Sequence, residues 1–283
     1  MQTDYAQRFI FEGKAIRGEI VRLQRSYHAI SQQRLYPEAV LRFLGQTLVA
    51  NVLLSTTLKY EGQITMQMQQ QGPLRLLVAQ CNNQLHIRGV AQWDDVSTDS
   101  VLSESIQAGQ LVITVQPNNR TDIYQSVVDI DHQPIAQVME HYFLQSEQLP
   151  TRLWLAADQQ MAAGLLLQQV GDVEGDPQQK QAIWEEVNIL TSTLTTAELL
   201  HLDAETLLHR LYHEYDLRLF SQKPVEFRCG CTVAKMEAAI LIMGREEAIK
   251  LLNESKKIIV KCEYCNYEYV FSEDEVRTLL AVH

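Results

Sequence analysis

Cys229-Gly230-Cys231 and Cys262-Glu263-Tyr264-Cys265 are the two stretches around which the C-terminal part of this chain is expected to fold. They contain four of the five cysteines in the 283-residue sequence, and thirty residues separate them. Zinc in structural sites prefers four ligands in a tetrahedron, and two short-range pairs of thiols joined by a folded loop supply them. The spacing therefore predicts one zinc site with Cys229, Cys231, Cys262 and Cys265 as its ligands.

The first pair is closer in sequence than is usual in structural zinc sites, where two to four residues separate the cysteines. A disulfide between residues two apart would close a cramped ring, and strained disulfides are the labile and regulatory kind. Gly230 would relieve part of that strain. The spacing alone leaves two interpretations open: a closed structural site that never changes state, and a site that is switched by oxidation.

The composition is that of a globular protein. With 46% hydrophobic residues, a chain of this length can bury a sizeable core and divide into two units, or one unit plus an appendage. The sequence shows no N-terminal charged-then-apolar segment and no apolar run long enough to span a membrane, which predicts a cytoplasmic protein with no membrane partner. The net charge of −11 argues against nucleic acid as a partner, because phosphates require a basic face.

Residues 1–175 are predicted to form an N-terminal α+β domain with an antiparallel sheet and packed helices. An alternating strand from Ala15 to Leu23 precedes an amphipathic helix from Pro37 to about Leu58. Three further alternating runs, with turns at Gly72-Pro73 and Asn82-Asn83, indicate a meander whose apolar face this helix covers. More strands at 111–115 and 123–130, and a helix at 134–145, complete the predicted domain.

Residues 176–222 show three short helical patterns and are predicted to form a conditionally folded linker. Short isolated helices are marginal in water, so these helices are expected to be stable only while docked on their neighbours. Their apolar stripes are the candidate client-binding residues of the linker, namely Ile183, Val187, Leu190, Leu207, Leu208 and Leu211.

Residues 223–283 are predicted to form a small C-terminal zinc domain with two helices between the cysteine pairs. A module of about sixty residues has little core of its own. Zinc would contribute on the order of 10 to 16 kcal/mol to its folding, so loss of zinc is expected to unfold it.

Signatures of catalysis are missing, which predicts a protein that is not an enzyme and has no catalytic residues. There is no phosphate-binding glycine loop, no Gly-x-Ser-x-Gly elbow and no His-Glu-x-x-His motif. His201, His209 and His213 are either a second metal site or ordinary histidines, and the latter is favoured. Cys81 is expected to be a small core or turn residue without a role.

The cysteine motifs, in the context Val225-Glu226-Phe227-Arg228 before the first pair, resemble the zinc centre of the redox-regulated heat-shock chaperones known as the 33 kDa chaperonin family. The resemblance extends over the whole chain. It departs at Ala163-Gly164, where the family commonly has paired glycines. The supporting stretches are Arg17-Gly18-Glu19, Gly72-Pro73, Arg88-Gly89-Val90, Ser146-Glu147-Gln148-Leu149-Pro150-Thr151 and Arg210-Leu211-Tyr212-His213-Glu214.

The resemblance implies an ATP-independent holdase of the stress response, which protects thermally unfolding and oxidatively damaged proteins from aggregation. It implies that the protein is inactive when reduced and zinc-bound. Oxidation is implied to form disulfides between Cys229 and Cys231 and between Cys262 and Cys265, to release zinc and to unfold the linker. The implied partners are unfolded client proteins and, in the oxidised state, a second copy of the chain.

Two other functions remain open at this stage. A zinc-dependent interaction or nucleic-acid-binding protein would keep a purely structural four-cysteine site and constant zinc. A thiol oxidoreductase would use its dithiols in turnover, but Cys262-x-x-Cys265 lies among β-prone residues and not at the start of a helix in a βαβ unit. A hairpin that carries a zinc knuckle fits this second pair better.

Overall fold

A computed structural model describes residues 4–69, 73–94, 109–118, 123–131, 133–171 and 176–282. It divides into two compact units, Met1–Phe227 and Arg228–His283. Both contain sheet and helix, which confirms the predicted α+β class. The helical segment 176–222 packs inside the first unit. The predicted limit at Gly175 and Gly72 of the predicted turn lie outside the described residues.

The elements follow one another along the chain as follows. The described strands are β1 (Tyr5–Phe11), β2 (Ile16–Leu23), β3 (Gly62–Gln69), β4 (Leu74–Asn82), β5 (His86–Trp93), β6 (Gln110–Pro117), β7 (Tyr124–Asp129), β8 (Thr151–Ala157), β9 (Ala162–Gln169), β10 (Leu217–Leu219), β11 (Lys223–Pro224), β12 (Glu226–Phe227), β13 (Lys257–Lys261) and β14 (Glu268–Ser272). The described helices are α1 (Arg25–Ser31), α2 (Glu38–Thr57), α3 (Ile135–Ser146), α4 (Pro177–Ser192), α5 (Thr196–His201), α6 (Ala204–Tyr212), α7 (Val233–Met243), α8 (Arg245–Ser255) and α9 (Glu273–Val282).

The first unit contains two sheets. Sheet 1 has the order β10-β1-β2-β9-β8, with β11 also paired to β1, and all these pairs are antiparallel. Sheet 2 has the order β12-β5-β4-β3-β6-β7 and is antiparallel except for the parallel pair of β12 with β5. The predicted meander is β3, β4 and β5 in sheet 2. Of sheet 1, the sequence patterns predicted strand β2.

Helix α2 packs against strands of both sheets, including β4 and β5 of sheet 2 and β8 and β9 of sheet 1. Met66 and Met68 of β3 are buried in the same core, as predicted for the apolar face of the meander. Among the described residues, α2 is the one helix long and apolar enough to cross a membrane, but 83% of its most apolar window is buried inside the protein. The apolar composition of α2 is therefore explained by its burial between the two sheets.

The helical segment covers the opposite face of sheet 1. Its three helices match the three short helical patterns of the sequence. Asp176 caps α4, and Thr195 with Glu198 forms a capping box at the start of α5. The six candidate linker residues all contribute to a second core, in which Val187, Leu207, Leu208 and Leu211 are buried and Ile183 and Leu190 are partly buried. The predicted docking of these stripes is thus observed, while their role towards clients stays a prediction.

Arg22 connects sheet 1 to the helical segment. It lies on β2, its side chain is 5% exposed, and its guanidinium donates to the carbonyl oxygens of Leu199, Leu200 and Leu202. These carbonyls belong to the C-terminal end of α5, where helical carbonyls lack partners within the helix and favour a positive charge. A buried charge therefore holds this helix against the sheet.

Strands β1, β8 and β9 were not predicted. β9 reads Ala-Ala-Gly-Leu-Leu-Leu-Gln-Gln and is buried along nearly its whole length, because α2 covers one face of sheet 1 and the helical segment covers the other. A strand buried on both faces lacks the alternation on which strand prediction depends. In β2, Gly18 leaves the space that the ring of Phe9 occupies, so a Cβ atom there would collide with that ring.

The second unit is small. The β13–β14 hairpin and helices α7, α8 and α9 enclose one small apolar cluster. Helices α7 and α8 match the two that the sequence predicted between the cysteine pairs. The buried members of the cluster are Ile240, Ala248, Leu252, Ile258, Phe271, Val276 and Leu280.

Candidate metal centre

The second cysteine pair lies at the tip of the β13–β14 hairpin. The Cys262 N–H donates to the Tyr267 carbonyl at 2.9 Å, and the Asn266 N–H donates to the Cys262 carbonyl at 2.8 Å. Asn266 has a φ of 55°, a left-handed conformation that asparagine tolerates better than most residues. This tight turn directs both thiols of Cys262 and Cys265 to the same side. It is the knuckle that the β-prone residues around the pair predicted, and it is not the strand-to-helix setting of a thioredoxin-like dithiol.

The first pair precedes helix α7. Thr232 caps the helix by accepting from the Lys235 N–H at 3.3 Å, and the Lys235 ammonium donates to the Gly230 carbonyl at 2.6 Å. These contacts fix the short Cys-Gly-Cys loop at the N-terminal end of a helix. That end carries partial positive charge, which favours thiolates nearby.

The four thiols form one compact cluster. Their sulphur atoms all lie within 4.8 Å of one another, with 3.5 Å between Cys229 and Cys262 and 3.6 Å between Cys231 and Cys265. A zinc–sulphur bond is about 2.3 Å long, so the edge of a tetrahedral four-sulphur site is about 3.8 Å. The donor set and its spacing therefore fit a zinc ion held by all four sulphurs.

The environment of the thiols differs between the two members of the Cys-Gly-Cys loop. The Tyr269 hydroxyl donates to the Cys231 sulphur at 3.2 Å, and this bond lowers the pKa of the Cys231 thiol to about 7. Burial raises the pKa of the Cys229 thiol and, less strongly, that of the Cys265 thiol. Cys262 is 4% exposed, and the other three cysteines are partly exposed. Small reagents can therefore reach the cluster from solvent.

Tyr269 and Lys235 are the site residues that the sequence did not indicate. Tyr269 pairs with Val260 across the hairpin, and Lys235 lies one helical turn after the cysteine loop. A tyrosine on a strand and a lysine in a first helical turn are common, so neither residue stands out in a sequence. Only the register of the hairpin and the position of α7 reveal these contacts.

Replacement of Tyr269 by phenylalanine is expected to weaken zinc binding about 10–100-fold, because loss of a hydrogen bond to a metal ligand typically has an effect of this size. Competition with a chromogenic chelator in reducing buffer measures the zinc affinity. Tyr267→Phe is the matched control, since that ring packs edge-on against Tyr269 at 4.8 Å between centroids but is 61% exposed. Equal zinc affinity of Tyr269→Phe and the unchanged protein would show that the hydroxyl bond does not stabilise the site.

The other candidate residues belong to the first unit. His209 and His213 lie with ring centroids 6.2 Å apart. Among the described residues, the four cysteines are the one group of three or more potential ligands close enough to share a metal ion, so the histidines form no second site there. Cys81 is fully buried in β4, and burial raises the pKa of its thiol to about 12. It is a core residue, one of the two places that the sequence allowed.

Comparison with known proteins agrees with the fold and the cluster. The chain matches the family model described as Hsp33 protein over residues 4–272. It is 40% identical to the 33 kDa chaperonin of Ectopseudomonas mendocina over 99% of this chain and 96% of that protein. It is 41% identical to the 33 kDa chaperonin of Nitrosococcus oceani over 98% of this chain and 94% of that protein.

The fold is also that of a solved structure. The crystal structure of the 33 kDa chaperonin (heat shock protein 33 homolog) from Thermotoga maritima matches with a TM-score of 0.81 and 21% identity over 98% of each chain. The family match and the relatives define the class, a chaperone of the stress response, and the four-cysteine cluster is compatible with a bound metal. The chain belongs to the Hsp33 family, as the resemblance of its cysteine motifs predicted.

Proposed function

We propose that this chaperone is an ATP-independent holdase that oxidation switches on. The observation that supports this proposal most strongly is the cluster of four thiols at zinc-binding distances, three of them partly exposed, in a unit with a small core. Family membership supports the chaperone activity. When bound, zinc would hold the four sulphurs as thiolates and stabilise the fold of the second unit.

Oxidation by a peroxide accounts for the switch chemically. A thiolate attacks one peroxide oxygen, which breaks the O–O bond, forms a sulfenic acid and releases hydroxide. The neighbouring thiol of the same pair then attacks the sulfenic sulphur and displaces water, so each disulfide forms at the expense of one peroxide, which takes up the two electrons that the pair of thiols loses. By the pattern of the family, the pairs are Cys229 with Cys231 and Cys262 with Cys265. The distances in the reduced cluster do not select this pairing, since all four sulphurs lie within 4.8 Å.

Loss of zinc would then act on the helical segment. The second unit loses its main source of folding free energy, and helices α4, α5 and α6 lose support and leave sheet 1. Their apolar stripes and the sheet face that they cover then become available to clients. The active form is proposed to be a homodimer in the cytoplasm, with neither nucleic acid nor a membrane as partner.

Light scattering of a heat-unfolding client tests this function. The protein is added either reduced and zinc-loaded or after treatment with peroxide at mild heat, and zinc release is followed in parallel with a chromogenic chelator. Suppression of aggregation by the oxidised protein alone is the expected result. Equal behaviour of both forms would support the alternative, a purely structural site in a zinc-dependent interaction protein. Cys81→Ala is the control variant, because Cys81 lies outside the cluster and its loss should leave the switch intact.

A further inference from the structure

Residues 216–227 form an extended strap along the edges of both sheets of the first unit. β10 and β11 pair with β1 at the edge of sheet 1, and β12 pairs with β5 at the edge of sheet 2. The strap is the last part of the first unit, and Cys229 follows it two residues later. Its attachment therefore decides whether these two sheet edges are covered.

Main-chain hydrogen bonds attach the strap. The Phe220 N–H donates to the Arg8 carbonyl at 2.9 Å, and the Val225 N–H donates to the Asp4 carbonyl at 3.0 Å. In the other direction, the Glu12 N–H donates to the Asp216 carbonyl at 2.9 Å. Within this segment, which the structure describes throughout, Val225 is the one buried side chain. Side chains add to this attachment, among them the Arg218–Glu12 ion pair at 3.2 Å and the Gln222 amide that donates to the Gln7 side chain at 3.2 Å. The main-chain bonds are the part that any extended segment could reproduce.

Strand β1 does not depend on the strap for its own position. It pairs with β2 along most of its length, and Ala6, Phe9 and Phe11 are buried in the cores on either side of sheet 1. Departure of the strap would therefore leave β1 in place with a row of unpaired N–H and C=O groups. Such an exposed edge is a template for another extended chain.

The β1 edge also has positions that can accommodate every second side chain of an added strand. Leu217 and Leu219 of the strap lie opposite Phe11 and Phe9 in the pairing register. A guest strand with apolar residues at every second position would fill the same places. Short segments of high β-propensity and low net charge are the ones that aggregate when a protein unfolds, and they are the guests expected at this edge.

We propose that the β1 edge, once vacated by the strap, binds extended segments of unfolded polypeptide by strand addition. The inference rests on the proposed function, because the strap leaves only in the activated protein. It specifies how clients are held: the main chain supplies the bonds, and alternating apolar side chains pack on the face of Phe9 and Phe11. Recognition of this kind is largely independent of sequence, as a chaperone with many clients requires.

Competition with synthetic peptides of residues 216–222 tests the inference on the full-length oxidised protein. One peptide is unmodified, one is N-methylated at Phe220, whose amide donates to β1, and one is N-methylated at Leu219, whose amide points away from β1. The unmodified and Leu219-methylated peptides should displace a heat-unfolded client and restore its aggregation at similar concentrations. The Phe220-methylated peptide should require at least about tenfold more, since it lacks a main-chain donor.

The outcomes distinguish a failure of strand addition from a failure of the proposed function. If the oxidised protein holds clients but no peptide competes, or if all three compete equally, strand addition is wrong while the proposed function stands. If the oxidised protein holds no client, the proposed function fails and the inference with it. A fluorescent unmodified peptide should bind the oxidised protein and not the reduced one, because the strap occupies the edge in the reduced state. Equal binding to both states would overturn the requirement for strap release.

Hydrogen exchange with the client itself gives a second test that needs no variant. In the oxidised, client-bound protein, the Phe220 and Val225 amides of the strap should lose protection. The Glu12 amide of β1 should keep it, because a client carbonyl replaces that of Asp216. Loss of protection at Glu12 together with the strap, while the client stays bound, would place the client elsewhere.

Discussion

Chelation of zinc from the reduced protein should unfold the Arg228–His283 unit and leave the two sheets of Met1–Phe227 folded. The second unit encloses one small apolar cluster, which is too little to hold about sixty residues without help. Four thiolate bonds to zinc contribute on the order of 10 to 16 kcal/mol, so their removal exceeds any stability that this cluster provides. Hydrogen exchange at single-residue resolution should show full exchange in α7, α8 and α9 while amides of α2 stay protected.

Substitution of one ligand should give the same result without a chelator. Cys262→Ser removes the most buried of the four sulphurs, and we expect a zinc content near zero and an unfolded second unit. The matched control is Cys81→Ala, which removes a cysteine from the core of the first unit and should leave zinc content unchanged. A metal-free second unit that retained its protected amides would show that its own core suffices, and the metal-dependent switch would lose its physical basis.

Replacement of Arg22 by methionine is expected to loosen the helical segment while zinc stays bound. The substitution preserves much of the side-chain volume but removes the donors to three carbonyls at the end of α5. Buried carbonyls without partners are costly, and we expect a loss of about 3 kcal/mol in the free energy that holds the segment to sheet 1. Amides of α5 and α6 should exchange faster, and the reduced protein should begin to suppress client aggregation.

Arg75→Met is the control for this prediction. The Arg75 side chain is 68% exposed and pairs with Asp94 on the surface of sheet 2, where an ion pair contributes at most about 1 kcal/mol. It should change neither the exchange of α5 nor client holding. If Arg22→Met left α5 and α6 as protected as before, the guanidinium would not anchor the segment. If it released the segment without any client holding, exposure of the stripes would not be what activates the chaperone.

Local patterns were sufficient to predict much of the fold and the cysteine cluster. The stripes of α4 and α6 and the alternating strands β3 and β4 each bury one side more than the other, so their periodicity survives in the sequence. Helix α2 was predicted from apolar residues at helical spacing, although it contacts a sheet on each side. The four cysteines could be assigned to one site because the members of each pair are close in sequence, so each pair supplies two ligands that are already near one another. Strands β1, β8 and β9 were not predicted, and β9 left no such pattern because α2 and the helical segment cover its two faces.

The sequence by itself determined the α+β class, the helical segment with its apolar stripes, the four thiols and the family. These features depend on residue type at spacings of a few positions, which local geometry converts directly into structure. The tertiary structure alone decided that α2 lies between two sheets, that Arg22 anchors α5, that Tyr269 donates to Cys231 and that a strap covers the β1 edge. Each of these joins residues distant in sequence or placed by strand register, and the free energy of such contacts exists only once the chain has folded.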